Sequence, residues 1–199
     1  MPYKLNSVRI LLIDDMRSML TLTKSVLGIF GFKDIYMASN GEEGFDMVME
    51  HDPDLIITDW MMEPVNGLEF SERVRRDPMT PNPYVPIIMM TGFSSKLRVE
   101  QARDAGITEF LMKPFSSRDL YTRIHTIIEK PRQFVDSGEF FGPDRRRKRS
   151  PDFAGTRKRG DDPPPAETAY LDAPSDDDMR TADEILKKLQ VDARKNVTD

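Results

Sequence analysis

Four short apolar runs in the first two-thirds of the chain each stop at a polar residue. VRILLID ends in Asp14 with Asp15 next, DLIIT runs into Asp59, PIIMM into Thr91 and EFLM into Lys113. Each run is rich in Ile, Leu, Val or Met and lacks polar alternation, the pattern of strands buried on both faces of a parallel sheet. KDIYMA adds a shorter strand between the first two of these.

Helical periodicity fills the gaps. From Met16 to Phe30 one stripe carries Met16, Leu20, Thr23, Leu27 and Phe30, with Met19, Leu22, Val26 and Ile29 beside it. Gly31 stands where a C-terminal cap glycine belongs. Asn40 can cap a second helix running through His51, and Pro53 stops it. A third helix spans 68–76, a Pro-rich loop DPMTPNPY follows, and Ser94 or Ser95 can open a fourth helix that Gly106 ends. Ser116 or Ser117 opens a fifth, in which Leu120, Ile124, Ile127 and Ile128 share a face. Five strand–helix units with short loops predict an α/β fold, a doubly wound parallel sheet.

Functional residues of such sheets sit at strand carboxyl ends. If the strands lie side by side, Asp14, Asp15, Asp59, Thr91 and Lys113 converge on one crevice. Three carboxylates share a site only when a cation offsets their repulsion. Hard oxygen ligands with room for water and a phosphoryl group suggest Mg²⁺, leaving the hydroxyl and the ammonium to hold phosphoryl oxygens. The pattern predicts a site for phosphorylating an aspartate.

Composition narrows the remaining readings. With charged residues at 32% and a net charge of −5, the chain as a whole is not a generic polyanion binder. It has no cysteine, which excludes disulfides and thiolate chemistry. No apolar run approaches membrane-spanning length, so a soluble cytoplasmic protein without membrane contact is expected. His51 and His125 are read as surface or helix-end residues, the Met-rich texture as core packing, and Trp60 as a partly exposed loop aromatic.

From residue 131 the pattern changes. Residues 131–180 read as a charged linker with few large aliphatics: a basic block holding RRRKR (145–149) and RKR (157–159), then an acidic block, with PPP at 163–165. Such a tract cannot bury enough apolar surface to offset chain entropy, so a largely disordered tail that adds little to folding is expected. A short amphipathic helix at 181–190, with Thr181 and Glu184 as a capping box and Ile185, Leu186 and Leu189 as its apolar face, would close the chain. Phe140 and Phe141 are the exception, two rings that can pack back on the preceding domain.

Residue by residue, 7–130 resembles the receiver domain of bacterial response regulators. Asp14 and Asp15 match the family's acidic pair, Asp59 its phosphoacceptor, Thr91 its switch hydroxyl, and Lys113, followed by Pro114, its lysine. WMMEPVNGLEF resembles the loop after the phosphoacceptor, with Pro64 one place later than usual and Gly67 at its usual offset. The resemblance implies a flavodoxin-like sheet of order 2-1-3-4-5 and a cis Lys113–Pro114 bond. It implies Mg²⁺ held by Asp15, Asp59 and the backbone carbonyl of Met61, with Asp14 acting through water. It also implies a switch in which Thr91 turns inward and Phe110 fills the vacated space. The implied function is that of a response regulator rather than an enzyme: Asp59 takes a phosphoryl group from a histidine kinase or phosphotransfer protein. The signal then passes to an output protein, or through a phosphorylation-dependent homodimer, by changed protein contacts. Met61 and Phe93, flanking the reaction path, are apolar and cannot orient an attacking water, so slow self-dephosphorylation is expected.

Two other classes fit less well. A haloacid-dehalogenase-type phosphatase needs an acid/base Asp two residues after its nucleophile, where this chain has Met61. A nucleic-acid-binding regulator could use the basic runs, but no base-reading element accompanies them; an acidic protein surface or plain solvation explains those runs as well.

Overall fold

The computed structural model describes residues 5–92, 96–137, 140–144 and 173–195. A five-stranded parallel sheet is built from β1 (Ile10–Ile13), β2 (Ile35–Ala38), β3 (Leu55–Asp59), β4 (Ile87–Thr91) and β5 (Glu109–Met112), in the order β2-β1-β3-β4-β5. The helices are α1 (Arg17–Ile29), α2 (Gly41–His51), α3 (Gly67–Arg76), α4 (Lys96–Asp104) and α5 (Ser117–Glu129). Alternate strand residues feed two cores. Ile10, Leu12, Ile57, Ile88, Met90 and Leu111 pack with residues of α1 and α5. Leu11, Ile13, Ile56, Ile87 and Met89 pack with residues of α2, α3 and α4. Burial on both faces is why the strands read as unbroken apolar runs.

Local signals place the helix ends. The Asn40 side chain accepts from the backbone N–H of Glu42 and Glu43. Ser116, rather than Ser117, caps α5, in a reciprocal capping box with Asp119. An unanticipated box joins Asn66 and Glu69 at the start of α3. Gly31 and Gly106 take positive φ after α1 and α4, where a side chain would be strained. The expected Ser94 or Ser95 cap, like Phe93, lies outside the described residues. Lys113–Pro114 is cis, and so is Glu63–Pro64.

Two parts of the tail are structured and packed, against the expectation that it adds little to the fold. Phe134–Asp136 (β6) and Phe141–Pro143 (β7) form an antiparallel hairpin against α3 and α4. Phe134 and Phe141 join Tyr84 in an aromatic cluster with centroid separations of 5.3–5.8 Å. The rings supply apolar area that the linker's composition hid. A Cβ on Gly142 would come within 2.9 Å of the Gly106 Cα, so the hairpin seats only because both positions lack a side chain.

The closing helix α6 runs Asp176–Lys195, longer than the 181–190 expected. Ser175 caps it, exchanging hydrogen bonds with Asp178. Thr181 lies inside the helix, where its hydroxyl donates to the Asp177 carbonyl. α6 packs on α1 and α5, burying Ala182 and Leu186 in the core on that side of the sheet. The basic runs and PPP, and the Leu189 side chain, lie outside the described residues.

Candidate functional site

The parallel registers set the functional residues in a staircase across the carboxyl edge of the sheet. Ile13 of β1 is level with Thr58 of β3, which brings Asp14 level with Asp59. Asp59 is level with Met90 of β4, so Thr91 stands one step further on. Thr91 is level with Met112 of β5, so Lys113 stands one step beyond that, and its N–H donates to the Thr91 carbonyl at 2.8 Å.

Asp14, Asp15, Asp59 and Lys113 converge. The Lys113 ammonium lies 2.8 Å from Asp59 Oδ1 and 3.0 Å from Asp14 Oδ2. Asp14 is fully buried, and its other oxygen accepts from the Met16 N–H at 2.9 Å. Burial raises its pKa above the usual carboxylate range, although Lys113 opposes the shift. Burial pulls the Lys113 ammonium down, but the two carboxylates outweigh it and leave the pKa raised. Asp15 is exposed at the mouth of the cluster. Carboxylate oxygens of Asp14, Asp15 and Asp59 lie within 4.8 Å of one another, a hard-oxygen set that can hold a divalent metal ion. With both Asp14 oxygens already engaged, Asp15 and Asp59 are the carboxylates freer to take one directly.

Thr91 is buried at the end of β4. Phe110 is half-buried on the neighbouring strand, two positions before Met112, and packs with the α2–α4 core. Met61 is exposed just past Asp59, with over half its surface open.

Gly67 is needed here for close approach. Its N–H donates to the Trp60 carbonyl, and any Cβ would collide with the Asp59 carbonyl oxygen. The start of α3 therefore lies directly against the Asp59 backbone. Trp60, expected to be partly exposed, is buried: its backbone N–H donates to the Met90 carbonyl, extending the β3–β4 ladder past Asp59. An aromatic at the end of a buried strand was the signal that marked it as core.

A 2-1-3-4-5 parallel sheet with an acidic pocket and a lysine at its carboxyl edge defines a CheY-like fold. The family model described as the response regulator receiver domain matches residues 10–125. The chain belongs to that family. It is similar to the chemotaxis protein CheY-3 of Vibrio cholerae, 27% identical over 124 residues, covering 62% of this chain and 94% of that protein. Chemotaxis protein CheY1 of Helicobacter pylori is 30% identical over 122 residues, 61% of this chain and 97% of the relative. The phosphate regulon transcriptional regulatory protein PhoB of Pseudomonas aeruginosa is 29% identical over 121 residues, covering 61% of this chain and only 52% of PhoB. Among solved structures, Vibrio cholerae CheY4 superposes with a TM-score of 0.56 at 26% identity, covering 60% of this chain and 98% of that one. This is a receiver domain of the kind found in CheY- and PhoB-like response regulators of two-component signalling. Among the described residues no helix is long and apolar enough to cross a membrane.

Proposed function

We propose that this protein is a cytoplasmic response regulator that accepts a phosphoryl group on Asp59 from a histidine kinase or phosphotransfer protein. Residues 7–130 would form the receiver, with the β6–β7 hairpin and α6 of the extension packed against it. The observation that carries the reading is the Lys113 ammonium, within 3.0 Å of both Asp59 and Asp14, beside carboxylates that can hold a metal. A lone buried ion pair needs one carboxylate; this pocket has more anions than its lysine can match.

In the transfer, an Asp59 oxygen forms a bond to phosphorus as the bond from phosphorus to the donor nitrogen breaks, and the electron pair leaves with the donor. Lys113 holds a fixed positive charge beside the phosphoryl oxygens. Mg²⁺, when bound, would neutralise phosphoryl charge; Asp15, Asp59 and the Met61 backbone carbonyl would hold it, with Asp14 acting through water. The Thr91 hydroxyl donates to a phosphoryl oxygen, and Phe110 moves into the space Thr91 leaves. The changed surface then alters contacts with an output protein or a second copy. Gel electrophoresis that retards phosphoproteins tests this: with acetyl phosphate and Mg²⁺ the wild type shifts and Asp59→Asn does not. An equal shift in both would place the acceptor elsewhere.

A further inference from the structure

The α1–α5 face carries its own ligand. α6 lies across it as an amphipathic helix, with Met179, Ala182, Ile185 and Leu186 at helical spacing toward the core and Ala182 and Leu186 fully covered. A small residue at Ala182 lets the helix approach closely, and Leu186, one turn on, fills the depth beneath. The register along α5 is set by polar contacts. Ser117, the first residue of α5, donates its backbone N–H to Asp183 Oδ1 at 2.8 Å and its hydroxyl to the Met179 carbonyl at 3.1 Å. That N–H is one of the donors a helix start leaves without an intrahelical partner. A carboxylate from α6 supplies the acceptor and meets the positive end of the α5 dipole.

Three features mark α6 as a ligand of this face rather than a layer of the domain. It pairs with no strand and closes no loop of the sheet. The family match ends at residue 125, and relatives of nearly the full matched length have no counterpart aligned to it. Between 145 and 172 the sequence is rich in charge and proline, with almost no large aliphatic residues. Being part of the same chain raises the effective concentration of α6 at this face, so even a modest intrinsic affinity keeps the face closed.

We propose that the α1–α5 face is a helix-docking surface that takes α6 of its own chain reversibly. The helix it recognises carries a small residue, an acid next to it and a leucine one turn later, as in Ala182-Asp183-x-x-Leu186. The inference does not depend on Asp59 being the phosphoacceptor.

The test places a protease site within 145–172 of the full chain. After cleavage, a fluorescent peptide of residues 173–195 is added and its anisotropy followed, with Trp60 emission reporting on the receiver. The expected result is that the peptide replaces the cleaved helix while Trp60 is unperturbed. Uncut chain should bind the peptide at least ten-fold more weakly, because its tethered helix competes. A full-length, uncut Leu186→Asp chain should bind at least ten-fold more tightly than uncut wild type. Peptide carrying Asp183→Asn with Leu186→Ala should bind the cleaved protein at least ten-fold more weakly than the native peptide. Three results would overturn the proposal: no exchange after cleavage, equal binding to cut and uncut chain, or loss of the Trp60 signal once α6 departs, which would make α6 a structural layer.

Discussion

Lys113 and Arg75 are two largely buried cations at opposite edges of one sheet, and they do different work. Lys113, past the carboxyl end of β5, faces two carboxylates, with a third beside them and an open mouth at Asp15. Arg75, in the last turn of α3, lies near the amino ends of β4 and β5. Its Nε and Nη2 donate to the Gly106 carbonyl and its Nη1 to that of Pro83, with Phe134 stacked 5.1 Å away. Burial pulls the Arg75 pKa down to about 9, which still leaves it charged at neutral pH. Its donors are spent on backbone carbonyls, and it ties α3, the Pro-rich loop, the α4–β5 turn and the hairpin together. A buried cation offers a candidate site for chemistry when the anions around it outnumber it and solvent can reach them. Where neutral acceptors satisfy it, it serves as a rivet.

The largest contrast is expected in phosphorylation. Lys113→Ala should slow acetyl phosphate-dependent labelling of Asp59 by a hundred-fold or more, following the ~2.7–4 kcal/mol carried by a donor to a developing oxyanion. Mg²⁺ binding, read by Trp60 quenching, should survive because carboxylates hold the ion. A large loss of metal affinity would erase the division of labour. Arg75→Met should label at the wild-type rate below its melting point.

Stability should show the reverse order. Arg75→Met leaves the buried Gly106 carbonyl and the half-buried Pro83 carbonyl short of donors and should cost about 2–4 kcal/mol, roughly 5–15 °C in melting temperature for a chain of this size. Thermal denaturation followed by circular dichroism reads it; a change under 2 °C would show that water satisfies those carbonyls.

Leu186→Ala should fall between the two edges. Only α6 docking is at stake, so about 1–2 kcal/mol is expected, seen as faster amide exchange at Ser117 without faster exchange in β3. Exchange rising equally in both would make α6 part of the cooperative core.

The smallest effect belongs to the α5 cap. The Ser116 hydroxyl and N–H hold the Asp119 carboxyl below its usual range. Stability from this pair is therefore present above the unfolded value of about 3.9. It is lost as pH falls through the lower folded value. Asp119→Asn should flatten the acid limb of the denaturation profile, lowering stability slightly at neutral pH and converging on the wild type below the folded pKa; an unchanged acid limb would show the cap contributes nothing.

The site was legible because each of its residues ends an apolar run. Asp59 follows LIIT and Thr91 follows IIMM, and a parallel sheet lines up such ends whatever the distance between them in sequence. Arg75 was invisible for the opposite reason: ERVRR reads as a solvated helix end, and only the folded chain sets two carbonyls and a Phe ring against its second arginine. Trp60 was misread as partly exposed because its burial depends on a ladder continuing one residue past Asp59.

By itself the sequence determined the strands, the helix cap at Asn40, the sheet class and the set of polar residues at its carboxyl edge; it narrowed the α5 cap to Ser116 or Ser117. These follow from unbroken apolar runs, a period of 3.6 residues and side chains that bond their own neighbouring backbone, all local in the chain. Tertiary structure alone decided which surfaces the tail would cover. Phe134 and Phe141 needed the Gly106 gap, and Ala182 and Leu186 needed a face built from α1 and α5. A segment with few apolar residues folds only where a complementary surface already exists, and that surface is written elsewhere in the chain.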